Sequence, residues 1–208
     1  MKTFVVAGTD TDVGKTAVAA MLTLALDGLY WKPIQCGTEG GTDSEIVARL
    51  GGQVLPEAYC LSAPLSPHRA AELQNVAIAW DNLALPSNIP ADKTLIVEGA
   101  GGLMVPVSRA LLQIELIARW HAPVILVART ALGTINHSLL SLEALRLWRV
   151  PVHGIIFVGD EIADSERTIT EMGKVKRLGR LPMLPSLTAP ALRDAFAANF
   201  QRSDFALG

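Results

Sequence analysis

The chain is poor in the features that mark several protein classes. Its 208 residues contain two cysteines, Cys36 and Cys60. That is too few for a disulfide framework, and their spacing is no metal signature. Aromatic residues amount to 5%, which leaves no stacking platform for single-stranded nucleic acid. Charge is sparse as well: 18% of residues are charged and the formal net charge is −2, so there is no basic footprint for nucleic acid. The short basic run Lys174, Lys176, Arg177 and Arg180 reads as the solvated end of a helix. The longest apolar stretch, Ala17 to Leu26, is interrupted by Thr23 and stopped by Asp27-Gly28. It falls far short of the ~20 residues of a membrane span. Met1-Lys2 leads directly into FVVAG without signal-peptide anatomy, so a soluble cytoplasmic protein is expected.

What the chain does have is apolar sequence in strand-length runs. Half of it is hydrophobic and the mean hydropathy is +0.34, which excludes a disordered chain. Such a composition suits an apolar sheet buried between two layers of helices. The length allows one sizeable core, and one domain over 1–208 is expected. Thr3–Ala7 leads through a Gly/Thr/Asp loop into a helix over Thr16–Leu26; Leu29–Ile34 is a second short strand, ended by proline. Asp43–Leu50 reads as a helix capped by Asp43 or Ser44. Residues 53–67, with Pro56, Pro64 and Pro67, read as an irregular loop, followed by a helical stretch around Val76–Leu85 and a strand at Thr94–Val97. Helices at Leu111–Trp120, Asn136–Trp148, Ser165–Arg177 and Ala189–Phe200 then alternate with strands at Val124–Ala128, Val152–Val158 and Leu178–Leu181. Strand–helix alternation predicts an α/β fold with a doubly wound, mostly parallel sheet. Ligands of such sheets bind outside the carboxyl ends of the strands, where three motifs fall.

The first is Gly8-Thr9-Asp10-Thr11-Asp12-Val13-Gly14-Lys15-Thr16, between the first strand and the first helix. A phosphate needs backbone N–H groups and a helix N-terminus, and glycine lets the backbone approach it. Lys15 would reach the β/γ-phosphates and the Thr16 hydroxyl would hold Mg²⁺. Five residues separate Gly8 from Gly14, where the usual pattern has four, so this is a variant P-loop. The second is Val97-Glu98-Gly99-Ala100-Gly101-Gly102, a carboxylate at a strand end with glycines whose N–H groups can meet an anion. The third is Lys32-Pro33-Ile34-Gln35-Cys36-Gly37 with Asp43 beyond it. Lys32 would neutralise charge on a transferred phosphoryl group; the plain alternatives are a surface lysine and, for Asp43, a helix cap. His68, His121, His137 and His153 have no metal spacing among them.

Together, GTDTDVGKT, YWKPIQCG, the Asp of GTDSE, VEGAGG and LGTINHSLLSLEAL resemble the blocks of the dethiobiotin synthetase family. The resemblance spans essentially the whole chain, including the G-x-L-P of Gly179–Pro182. It implies a P-loop ligase that uses ATP and Mg²⁺ to join 7,8-diaminononanoate and CO₂, through a carbamate and its phosphorylated form, into a cyclic urea. It implies Thr16, Asp43 and Glu98 as Mg²⁺ ligands, Lys15 and Lys32 beside carbamate and γ-phosphate, and Thr11 close to the reacting groups. Asp12, Val13, Gly14, Lys15, Thr16 and Ala17 would wrap the phosphates, with Gly99, Ala100 and Gly101 nearby. Gly159 and Pro182-Met183-Leu184 would flank the base. The family's homodimer receives the substrate carboxylate on a segment similar to Leu132–Asn136, although Asn136 also reads as a plain helix N-cap.

Three departures stand out. Cys36 occupies a substrate-side position where Ser or Thr is usual, Asp12 replaces Glu, and Ile156-Phe157-Val158-Gly159-Asp160 lacks the Asn of an adenine-reading Asn-Asp pair. The competing class is a nucleotide-driven switch of the partitioning or septum-site type, which carries an additional lysine early in the loop. Here Thr9, Asp10, Thr11 and Asp12 fill that stretch, and Phe196–Gly208 shows no basic amphipathic anchor.

Overall fold

The run Lys2–Gly8 forms strand β1, and every residue from Thr3 to Gly8 is buried. Its side chains alternate between two cores: Phe4 and Val6 enter one, Val5 and Ala7 the other. That is the mark of a central parallel strand covered on both faces. The computed structural model describes residues 2–206. After β1 come α1 (Lys15–Ala25), β2 (Leu29–Trp31), β3 (Ile34–Cys36), α2 (Asp43–Arg49), β4 (Gln53–Val54), β5 (Tyr59–Leu61) and α3 (Pro67–Leu73). The second half holds β6 (Thr94–Gly102), β7 (Pro106–Ser108), β8 (Leu111–Leu112), α4 (Gln113–Trp120), β9 (Val124–Arg129) and α5 (Thr134–Leu147). It closes with β10 (Val152–Val158), α6 (Ala163–Met172), β11 (Arg177–Leu181) and α7 (Ala189–Asn199).

Seven strands form one parallel sheet in the order β11-β10-β9-β1-β6-β2-β4. Helices α1, α2 and α7 cover one face, through Val18, Met21, Leu22, Val47, Leu192 and Phe196. Helices α3 and α4 cover the other beside α5, and α5 and α6 complete that layer through Leu142 and Ile169. This is the expected doubly wound α/β architecture, and the carboxyl ends of β1, β2 and β6 lie side by side.

Several local expectations are corrected. The strand expected over Leu29–Ile34 is two strands: Pro33 has no N–H to give a ladder, so the chain leaves the central sheet at Lys32 and pairs β3 with β5. The loop expected at 53–67 contains β4 and β5, and Pro67 is the first residue of α3, a favoured place for proline. Val76–Leu85 is not a helix but an extended path with a 3₁₀ turn at Trp80–Leu83. There Val76, Ile78 and Trp80 pack on the core with a period of two. Leu111 and Leu112 pair with β7, so α4 begins at Gln113. Helix α6 ends at Met172 rather than Arg177. Arg177 and Arg180 lie on β11 and converge on the buried Glu166, so the basic run is not a solvated helix end. The α2 cap is Thr42, in a capping box with Glu45, not Asp43 or Ser44.

Candidate active site

The loop from Gly8 to Thr16 connects β1 to α1 as a phosphate site requires. Gly14 caps α1 with φ of 95°, in the left-handed region where a side chain is strained, and a Cβ there would stand 2.9 Å from Val158 Cγ1. Lys15 curls back over the loop, and its Nζ donates to the Asp10 carbonyl at 2.7 Å. Gly8 makes room for it, since a Cβ at Gly8 would lie 2.8 Å from that Nζ. The first turn of α1 contains no acidic residue, so no carboxylate of the helix's own first turn competes for its N–H groups and dipole. Burial lowers the Lys15 pKa, with Lys32 adding to that effect and Glu98, Asp12 and Asp10 opposing it.

Strand register builds the second part. Trp31 pairs with Val97, which brings Lys32 level with Glu98. Tyr30 and Lys32 share one side of the chain by strand alternation, as Ile96 and Glu98 do. The Glu98 carboxylate is 1% exposed and meets three donors. Thr16 Oγ1 donates to its Oε1 at 2.9 Å, Lys32 Nζ lies 3.3 Å from the same atom, and the Tyr30 hydroxyl donates to Oε2 at 2.8 Å. Lys32 Nζ also donates to Asp43 Oδ2, so one buried ammonium joins two carboxylates. Burial alone would lower the Lys32 pKa, but Glu98 and then Asp43 outweigh it and the net direction is upward. The Tyr30 phenol is pushed well up, by burial first and then by Glu98, so it remains a neutral donor.

All of these groups but Tyr30, which lies buried behind Glu98, line a cleft of about 830 Å³. It gathers Thr11, Asp12, Gly14, Lys15, Thr16, Lys32, Cys36, Asp43, Glu98, Ala100 and Gly101. Three residues expected at the phosphates are not on its wall: Val13 is packed in the core, Ala17 packs against that core, and Gly99 is buried in the sheet facing Gln113. Sequence reading missed Tyr30, whose signal was its place two residues before Lys32. It also missed Gln35, whose Oε1 accepts from the Asp43 N–H at 3.3 Å, and the wall formed by Pro64, Leu65, Ser66 and Pro67. The proline cluster marked that wall as a loop but gave no sign of what it faces. The Cys36 thiol is pushed up to about 11, mainly by burial and against the pull of Lys32, so it is protonated near neutrality.

The expected base-side residues lie outside this cleft, beyond the P-loop, where Val158 touches the Gly14 position. The Gly159 N–H is taken by the Leu181 carbonyl at 3.0 Å, and its carbonyl accepts from Arg180 Nη1 at 3.1 Å. Pro182 is half-buried, Met183 exposed, and Leu184 packs against the core. Asn136 is exposed on the first turn of α5, not its cap; Gly133 caps that helix with φ of 93°.

Thr16, Asp43 and Glu98 offer oxygen donors only, as a hard divalent cation prefers. Among the described residues, no three His, Cys, Asp or Glu side chains form a metal cluster. The donor set therefore fits a cation shared with bound phosphates rather than a protein-only cage. No described helix is long and apolar enough to cross a membrane.

The profile described as AAA domain matches residues 2–191. The ATP-dependent dethiobiotin synthetase BioD of Rhodopseudomonas palustris strain HaA2 is 56% identical over 208 residues, covering 98% of this chain and 96% of that protein. The enzyme of the same name from Novosphingobium aromaticivorans is 56% identical over 210 residues, covering 99% and 100%. A plasmid partition protein from Borrelia burgdorferi, solved with AMPPNP, superposes with a TM-score of 0.58 over 93% of this chain and 90% of that one. At 12% identity, that likeness shows a shared P-loop fold and does not favour the switch reading. The variant P-loop, the Lys32–Glu98–Asp43 cluster and relatives of full length together place this chain in the ATP-dependent dethiobiotin synthetase family.

Proposed function

We propose that this chain, acting as one P-loop α/β domain in the cytoplasm, is a cyclo-ligase that converts 7,8-diaminononanoate, CO₂ and ATP into dethiobiotin, ADP and phosphate. One amine, as its free base, adds to the carbon of CO₂ and releases a proton to solvent, leaving a carbamate. A carbamate oxygen attacks the γ-phosphorus as the bond to ADP breaks. The second amine, as its free base, then attacks the carbamoyl carbon, and the C–O bond breaks with its electron pair leaving on phosphate. The amine nitrogen gives its proton to the departing phosphate or to solvent, and the cyclic urea closes. Carbamate and triphosphate are both anionic, so cations must stand between them. Lys15 and Lys32 supply two, and Thr11 lies on the same wall of the cleft. Thr16, Asp43 and Glu98 would hold Mg²⁺, which when bound neutralises charge on the phosphates. Ile34, Pro64, Leu65 and Val105 give the cleft an apolar side suited to the methylene chain of the diamine.

The observation that carries this reading is Lys32: a buried ammonium held between two carboxylates on the cleft that Lys15 also lines. The homodimer belongs to the same proposal. Leu140 and Leu147 are exposed and, with Asn136, follow one side of α5 at helical spacing, and the exposed Leu132 lies in the turn just before the helix. A second copy would cover this stripe and bring Asn136 to the carboxylate of the substrate. The test is phosphate release from ATP with and without diaminononanoate plus bicarbonate. Release is expected only when both are present; release that ignores the diamine contradicts the proposal.

A further inference from the structure

The hydroxyl of Tyr30 has no place in the chemistry described so far, yet it meets the most buried carboxylate of the cleft. The Tyr30 ring is fully buried beneath α1 with Phe4, Met21 and Leu22, and β2 is locked to β6 with Tyr30 opposite Ile96. The ring therefore has no freedom to follow a moving partner. Its hydroxyl donates to Glu98 Oε2 at 2.8 Å, while Thr16 and Lys32 approach only Oε1. Without a donor on Oε2, only the contacts to Oε1 restrain rotation of the carboxylate about its terminal bond, and the aim of Oε1 is less closely fixed.

We infer that Tyr30 is a positioning residue, whose hydroxyl holds Glu98 so that Oε1 faces Thr16 and the cation of the phosphate site. The inference rests on the reading of Thr16 and Glu98 given above. A carboxylate that meets a metal is oriented by the groups that hydrogen-bond it, and losing such a partner costs roughly 10–100-fold in metal affinity or activity. A tyrosine that merely fills the core would affect stability alone.

The test is Tyr30→Phe, which removes one oxygen and keeps the ring. Mn²⁺ binding in the presence of ADP, read by electron paramagnetic resonance, should weaken by roughly 10–100-fold. The Mg²⁺ concentration for half-maximal turnover should rise in parallel, while ADP binding in chelator stays unchanged. In a Glu98→Gln background, Tyr30→Phe should shift neither constant further. A folded Tyr30→Phe protein with wild-type Mn²⁺ and Mg²⁺ dependence overturns the inference. If Glu98→Gln is equally silent, the assignment of Glu98 falls with it; if Glu98→Gln shifts both constants, only the role of Tyr30 falls. Should Tyr30→Phe not fold, 3-fluorotyrosine in a Tyr59→Phe chain makes Tyr30 the single tyrosine reporter, since the chain has two. Its fluorine resonance should move when Mg²⁺ joins ADP and stay still when ADP is added with chelator; no movement on adding Mg²⁺ overturns the inference.

Discussion

Lys32 Nζ stands 3.3 Å from Glu98 Oε1 although 66 positions separate the two residues in the chain. The parallel pairing of β2 with β6 creates this meeting, and Asp43 closes it from the start of α2. A buried pair that loses one partner leaves an uncompensated charge, at a cost of about 3–5 kcal/mol. Lys32→Ala should therefore lower the free energy of unfolding in urea and, in protein still folded by circular dichroism, cut kcat by roughly 10²–10³. Near-normal turnover in the folded variant would remove Lys32 from the chemistry.

The pH dependence of that stability follows from the direction of the Lys32 shift. The folded pKa is raised above the ordinary 10.5, so the stabilisation is present in full below the unfolded value and is lost as pH rises through the higher folded one. Urea melts of wild type and Lys32→Ala should differ by a constant amount from about pH 7 to 9, and the difference should shrink only in stronger alkali. A difference that already fades between about pH 7 and 8 would contradict the upward shift.

Cys36 stands on the cleft wall with its thiol pushed up to about 11. Iodoacetamide at neutral pH should thus modify the exposed Cys60 first and Cys36 slowly. Substrate should slow the Cys36 reaction further, because the thiol shares the cleft. Cys36→Ser, which supplies a stronger hydrogen-bond donor, should keep turnover and hold or lower the KM for the diamine. An inactive Cys36→Ser enzyme would assign sulfur a specific role.

Base selection should be loose. The Gly159 N–H already bonds Leu181 and its carbonyl already accepts from Arg180, so few free backbone groups remain to read an adenine edge. Each missing neutral hydrogen bond is worth about 0.5–1.5 kcal/mol. CTP and GTP should support turnover within about one to two orders of magnitude of ATP in kcat/KM. A preference for ATP above roughly a thousand-fold would show that another residue, with Asp160 first in line, reads the base.

The α5 stripe gives a test of assembly. Leu140→Glu combined with Leu147→Glu places charge on two exposed apolar positions, so folding should be unaffected while sedimentation shifts from dimer to monomer. A wild-type protein that sediments as a monomer would contradict the dimer directly.

The sequence made the central strands and the phosphate loop legible because both are local signals. Apolar runs of strand length announced β1, β9 and β10, and glycines beside Lys15-Thr16 announced a loop whose geometry lies within nine residues. The Lys32–Glu98–Asp43 cluster was legible only through its motifs, since the pairing of β2 with β6 is a long-range fact. Residues 53–85 were the least legible. Two short strands and α3 there carry no amphipathic period, and the path of Val76, Ile78 and Trp80 takes its shape from the core beneath it. Asn136 looked like a cap because Asn often is one, yet the glycine three residues earlier could adopt the left-handed turn that α5 requires.

The most direct measurement of the central chemistry follows oxygen. CO₂ labelled with ¹⁸O is supplied with diaminononanoate and ATP, and both phosphate and product are read by mass spectrometry. If a carbamate oxygen attacks the γ-phosphorus in the Lys15–Lys32 cleft, each phosphate released carries one heavy oxygen and the urea carbonyl keeps the other. Retention of label in the carbonyl shows that the CO₂ had not exchanged with water. Unlabelled phosphate beside a labelled urea would mean that ATP is cleaved by water, and phosphorylation of a carbamate would be excluded.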